Sequence, residues 1–129
     1  MPLGKADDLG DITVSSAEDF ASAVQPCIED GAPSVDPELG MIYFSTGNAG
    51  PDLNGAIRAG DNLFSASLVA LDVETGEYRW HFQLVRHDIW DYDAPNPVIL
   101  FDAEIGGSQR KGIAQIPKSG YLYLLDRVT

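Results

Sequence analysis

From residue 31 onward, turn signals return at short intervals. DPELG (36–40), VETG (73–76), APNP (94–97) and PKSG (117–120) punctuate runs rich in apolar, β-branched and aromatic residues. Thirteen glycines and eight prolines among 129 residues leave little room for long helices, because each breaks a helical run. The pattern predicts short antiparallel strands joined by tight turns: an all-β chain. Expected strands cover 41–46, 63–72, 77–85, 98–105, 110–116 and 121–129. The segment 47–62, GNAGPDLNGAIRAGDN, is too long for a simple hairpin and is a candidate functional loop.

The first thirty residues differ in texture. Residues 1–13 read as a polar arm, and 15–25 as a short N-terminal helix. Ser15 and Glu18 have capping-box spacing, Phe20, Ala21 and Val24 share one face, and Pro26 stops the run. The chain therefore divides into an arm, 1–30, and a β-region, 31–129.

Charge and sulfur exclude some functions. A formal net charge of −12 disfavours non-specific nucleic-acid binding, since phosphates would be repelled. Cys27 is the single cysteine, so no intrachain disulfide forms. No signal peptide and no apolar run long enough to cross a bilayer is recognisable in the sequence.

Internal similarity shows in ALDVETGEYRW (70–80), which reads strand, aspartate, turn glycine, strand, tryptophan. LLDRVT (124–129) begins alike, with Leu125 and Asp126 standing 54 positions after Leu71 and Asp72. PELGMIYF and PKSGYLYL match at a separation of 80 positions. Unequal offsets point to repeated hairpin types rather than one rigid period, and the expected context is a larger array.

The densest chemistry lies in HDIWDYD (87–93), with three carboxylates, a histidine and two large aromatics in seven positions. Read alone it is a solvated acidic turn, just as STGNAGP alone is a β-turn and Lys118 an exposed turn lysine. Together with YFSTGNAGP (43–51), GDNLFSASLVALD (60–72) and KSGYLYLLDR (118–127), it resembles the quinoprotein dehydrogenases. These are pyrroloquinoline quinone (PQQ)-dependent alcohol dehydrogenases built as eight-bladed β-propellers, and glucose-oxidising members share the motifs. The resemblance runs from about residue 31 to the C-terminus in four separate motifs, and does not extend to 1–30.

It implies a partial β-propeller of about two blades, each a four-stranded antiparallel meander. It also implies roles. Asn48 resembles a ligand of the metal beside PQQ, and Asp91 the catalytic base that also contacts the metal. Lys118 resembles the residue that hydrogen-bonds the quinone carbonyls. Asp93 matches an extra carboxylate of lanthanide-using members, and is equally readable as a charge partner of a Lys or Arg or as simply exposed. Trp80 resembles the tryptophan that docks on a glycine turn of a neighbouring blade, Gly76 or its counterpart. His87 and Asp88 are expected to serve loop hydrogen bonding, and His81 a structural or surface role.

The implied chemistry suits these residue types. A hard cation, Ca²⁺ or a lanthanide, prefers oxygen donors such as the Asn48 amide and the Asp91 carboxylate. Lys118 would place positive charge where a reduced quinone gathers negative charge. On an extended backbone Asp91 and Asp93 would point to one side, with Trp90 and Tyr92 on the other. Such paired carboxylates repel unless a cation lies between them.

The family also implies a small alcohol substrate, a cytochrome or quinone as electron acceptor, and periplasmic location. An aromatic floor for the cofactor is expected where Asp30 stands, and aspartate has no stacking face. A glutamate ligand and a pair of adjacent cysteines would come from outside this sequence. Alone, the chain is expected to bind PQQ weakly or not at all and to self-associate through open blade edges. The alternative is a non-catalytic propeller repeat serving as scaffold or interaction module.

Overall fold

The computed structural model describes residues 32–128. Seven strands alternate with turns and loops: β1 (Ser34–Asp36), β2 (Met41–Ser45), β3 (Ser67–Asp72), β4 (Tyr78–Gln83), β5 (Ile99–Ile105), β6 (Ser108–Gln115) and β7 (Tyr123–Asp126). They form two antiparallel sheets, ordered β1-β2-β3-β4 and β5-β6-β7. Two small meanders resembling partial propeller blades replace the expectation of uniformly four-stranded ones: the second has three strands among the described residues. The helix expected over 15–25 lies outside the described residues. Among these the only helical turn is a 3-10 turn at Gly55–Ile57, and no helix is long and apolar enough to cross a membrane.

The tight turns follow from aspartates that fold back on their own backbone. Asp36 Oδ1 accepts from Glu38 N and Leu39 N at 2.9 and 3.1 Å. Asp72 Oδ1 does the same for Glu74 N and Thr75 N, at 3.0 and 2.9 Å. Each turn then needs a left-handed residue to re-enter the sheet, supplied by Gly40 (φ 63°) and Gly76 (φ 72°). Asp126 repeats the first step by accepting from Val128 N at 2.9 Å. The similarity seen between the aspartate motifs is thus one hydrogen-bonded turn used repeatedly.

The main core fills the space between the sheets. Tyr43, Leu68 and Ala70 of the first sheet meet Ile113 of the second and Val98, which just precedes β5; Met41, Trp80, Leu100 and Leu125 pack around them. Tyr43 pairs with Ala70 and Ala70 with Trp80, so one cross-strand row faces the core. Trp80 packs within this cluster, its ring centroid 5.7 Å from that of Tyr43. Phe44 and Val69, also paired across β2 and β3, join Leu71 on the opposite face. Burial on both faces explains why β2 reads as an unbroken apolar run.

The clearest departures from the expected strands are at β3 and β1. Residues 63–66, expected as strand, form a turn in which Ser65 N donates to Asn62 O at 2.9 Å. Ala66, at φ 44°, then donates to Gly47 O at 2.8 Å, binding this turn to the long loop. β1 was not expected; three residues are too few to show alternation.

A buried ion pair joins the sheets. Arg127 Nε lies 2.6 Å from Asp36 Oδ2, and its Nη1 donates to Phe101 O at 2.6 Å. Burial by itself would raise the Asp36 pKa; the Arg127 bond and the two turn amides outweigh it and hold the carboxyl below its ordinary range. Tyr43 donates to Arg127 O at 3.2 Å, and burial followed by the nearby Asp36 charge pushes the phenol up to about 12.

Candidate active site

Three connections build the site: β2–β3 (46–66), β4–β5 (84–98) and β6–β7 (116–122). In each meander these leave from the end opposite the tight turns. Asn48 sits on the first, Asp91 and Asp93 on the second, and Lys118 on the third.

Loop is tied to loop by polar contacts. Arg58 Nη2, on the long loop, donates to Asp88 O at 2.8 Å and to Asp52 O at 3.0 Å. His87 donates its backbone N–H to Asp61 O at 3.0 Å, and its ring Nδ1 lies 2.6 Å from Gly60 O. A Cβ on Gly55 would overlap the His87 ring and Ile89, so the two loops meet where only glycine fits. On the other side, buried Gln115 donates to Ser45 Oγ and Asn96 O, each at 3.0 Å. Lys118 N donates to Asp93 O at 3.0 Å, fixing the third connection to the second.

Asp88 organises the acidic segment from inside. It is fully buried, and its two oxygens accept from Trp90 N at 2.8 Å and Tyr92 N at 2.7 Å. His87 and Asp88 thus serve loop hydrogen bonding, as expected. His81 has the expected structural role: its Nδ1 lies 2.6 Å from the Tyr78 hydroxyl, and burial lowers its pKa.

The segment is not extended. Asp91 adopts φ 64°, a left-handed conformation, and this corrects the alternation expected from the sequence. The aromatic rings nevertheless come together: Trp90 and Tyr92 stack with centroids 5.9 Å apart and planes at 17°. Both are exposed. Asp91 and Asp93 also converge, although by curvature rather than by pleat.

The structure brings all four predicted residues together. Asn48 Nδ2 donates to Asp91 Oδ1 at 2.9 Å, and Lys118 Nζ donates to Asp91 Oδ2 at 3.0 Å. Lys118 Nζ also lies 2.6 Å from Asp93 Oδ1. That last contact is an ion pair by distance, and Asp93 Oδ1 has no hydrogen bond of good angle. The carboxylates of Asp93 and then Asp91 push the Lys118 ammonium above the ordinary lysine range. Asp93 is buried, whereas half of the Asp91 side chain stays open to solvent. In this structure the buried Asp93 carboxylate is paired with the Lys118 ammonium.

Oxygen donors are available for a hard cation. Asn48 Oδ1 is buried without a partner, and Asp93 Oδ1 and the Asp91 carboxylate lie close by through Lys118. These three residues fit the chemistry such an ion requires. Among the described residues, however, no group of three or more His, Cys, Asp or Glu side chains is placed to hold a metal.

Arg58 and Gln115 were not singled out in the sequence. Arg58 had one signal, as the only cation in the 47–62 loop; Gln115 had none beyond a polar residue in an apolar strand.

With this geometry established, comparison with known proteins is decisive. Residues 31–129 match the family model described as the PQQ glucose/ethanol/alcohol dehydrogenase β-propeller domain. The chain belongs to this family. A quinohemoprotein alcohol dehydrogenase of Comamonas testosteroni is 46% identical over 94 residues, covering 71% of this chain and 13% of that protein. The quinoprotein alcohol dehydrogenase PedH of Pseudomonas putida is 45% identical over 92 residues, covering 71% of this chain and 15% of its own length. Among solved structures, a europium-containing methanol dehydrogenase superposes with a TM-score of 0.72 at 37% identity, covering 75% of this chain and 17% of that one. The chain spans about a seventh of the length of the curated relatives it matches.

Proposed function

We propose that the chain carries part of the active site of a quinoprotein dehydrogenase that oxidises an alcohol to an aldehyde. The supporting observation is the meeting of Asn48, Asp91 and Lys118, drawn from three separate connections, with Asn48 Nδ2 and Lys118 Nζ at 2.9 and 3.0 Å from the two Asp91 oxygens. Asn48, Asp91 and Asp93 would hold a Ca²⁺ or lanthanide ion, and Lys118 would hold PQQ. Bound there, the pair would supply a hydride acceptor and a Lewis acid.

The chain's own residues position and deprotonate. Asp91 is the base: its carboxylate is half open to solvent, and each oxygen keeps a lone pair beyond the bonds from Asn48 and Lys118. Those two bonds fix the carboxylate plane, so a substrate hydroxyl meets an acceptor already oriented. Lys118 presents further N–H donors toward a cofactor oxygen. Trp90 and Tyr92, on either side of Asp91 in the chain, stack on each other.

Substrates are small alcohols, with a cytochrome or quinone taking the electrons and the periplasm as the compartment. A titration of PQQ with Ca²⁺ or La³⁺ into this chain and into Asp91→Ala tests the site. Weak but Asp91-dependent binding supports it; equal binding by both removes Asp91 from the site.

The alternative, a non-catalytic propeller repeat serving as scaffold or interaction module, shares the two meanders and the packing of Trp80 on Tyr43 and has no need of the site. Sequencing upstream separates the two, because the enzyme reading requires an acidic ligand and a Trp-bearing blade there.

A further inference from the structure

In the structure described, the position between the two carboxylates is held by an ammonium. Lys118 Nζ reaches Asp91 Oδ2 at 3.0 Å and Asp93 Oδ1 at 2.6 Å. The other oxygen of Asp91 takes the Asn48 NH₂, which leaves buried Asn48 Oδ1 without a partner. Every group that would ligate a cation is thus turned toward a donor that belongs to the chain, or left unsatisfied. Like charges at Asp91 and Asp93 would repel without compensation, and Asp93 is buried, where an unpaired carboxylate is costly.

We propose that Lys118 is a built-in substitute cation, displaced from Asp93 when a metal ion enters and thereby released toward the cofactor. This rests on the site reading above and extends it. A metal taking Asp93 Oδ1 replaces one positive charge by a larger one, and Asn48 turns its oxygen inward by rotating its amide. The freed ammonium keeps Asp91 and gains a donor to spend on an acceptor across the site. Metal and cofactor then bind cooperatively in either order, because the coupling is reciprocal.

The test uses terbium as a trivalent probe on the full chain without PQQ, read by luminescence sensitised by Trp90 and Tyr92. Lys118→Gln is expected to tighten terbium binding by roughly fivefold to tenfold, the scale of one half-exposed ion pair. Simple repulsion between lysine and metal predicts tightening too, so the deciding variant is Asp93→Asn. If the metal displaces Lys118 from Asp93, the gain from Lys118→Gln largely disappears in an Asp93→Asn background; under repulsion alone it persists. Circular dichroism checks each variant's fold, and Lys118→Met is read in the same cycle should Lys118→Gln fail to fold. Asp91-dependent terbium binding that Lys118→Gln leaves unchanged, or a gain that persists in Asp93→Asn, overturns the proposal and leaves the site reading standing. Terbium binding that is absent, or unaffected by Asp91→Asn, removes the metal reading and this proposal with it.

Discussion

Arg127 and Asp36, 91 residues apart, meet at 2.6 Å and are both almost completely buried. The guanidinium also donates to Phe101 O and Gly112 O, at 2.6 and 3.2 Å, so one side chain fastens β1 of the first sheet to β5 and β6 of the second. Removing Arg127 leaves Asp36 charged and buried, so Arg127→Met is expected to cost about 3 kcal/mol, measured by urea denaturation. Asp36→Asn should cost less, because the guanidinium keeps Asp102 Oδ1 at 2.8 Å. Replacing both together should cost much less than the sum of the single changes.

The same pair sets an acid limit. Asp36 has a folded pKa below its unfolded value, so its contribution is present above the unfolded pKa and is lost as pH falls through the folded one. Denaturation midpoints of the wild-type chain should therefore fall more steeply below about pH 4 than those of Asp36→Asn. Parallel curves for the two proteins would contradict this.

Gly112 and Gly55 mark places where a side chain cannot be added. A Cβ on Gly112 would overlap the Phe101 ring, which lies across it in the paired strand. A Cβ on Gly55 would overlap the His87 ring. Gly112→Ala should lower stability by about 1–3 kcal/mol in thermal or urea melts. Gly55→Ala should instead loosen the two loops with a smaller stability loss, seen as faster amide exchange at His87, whose N–H bonds Asp61 O.

Asp88 should matter more to the site than its position one residue past His87 suggests. Asp88→Ala strips acceptors from the amides of Trp90 and Tyr92, at a cost of about 1–3 kcal/mol. It should also undo the Trp90–Tyr92 stack, measurable as a change in near-ultraviolet circular dichroism. Asp88→Asn keeps one acceptor and should show an intermediate signal.

Strands β5 and β7 each pair only with β6 among the described residues, leaving their outer edges open. Expressed alone, the chain should self-associate with rising concentration in sedimentation velocity. A charged substitution on the β7 edge face, such as Leu124→Lys at an exposed position, should shift the distribution toward monomer.

Strands and turns were legible because turn chemistry is local. DPELG and DVETG contain in sequence all that the hydrogen bonds then use, an aspartate and a glycine four residues on. The meeting of Asn48, Asp91 and Lys118 was legible only through resemblance to a family, since residues 43 and 27 positions apart leave no periodic signal. What stayed hidden depends on partners distant in the chain. The backbone at Asp91 turns left-handed because Asp88 collects the amides on either side of it, which alternation cannot reveal. Residues 63–66 have strand-like composition, yet a backbone bond to Gly47 O takes them out of the sheet.

The connections alternate in kind along the whole described chain. Those after β1, β3 and β5 are tight turns, while those after β2, β4 and β6 carry every residue of the candidate site. One end of each meander is held by short-range bonding that specifies register, and the other by bonds between loops distant in the chain. Chemistry can therefore be rewritten at the upper rim without renegotiating how the strands align, and changes at the lower rim should be felt as folding defects rather than as altered selectivity.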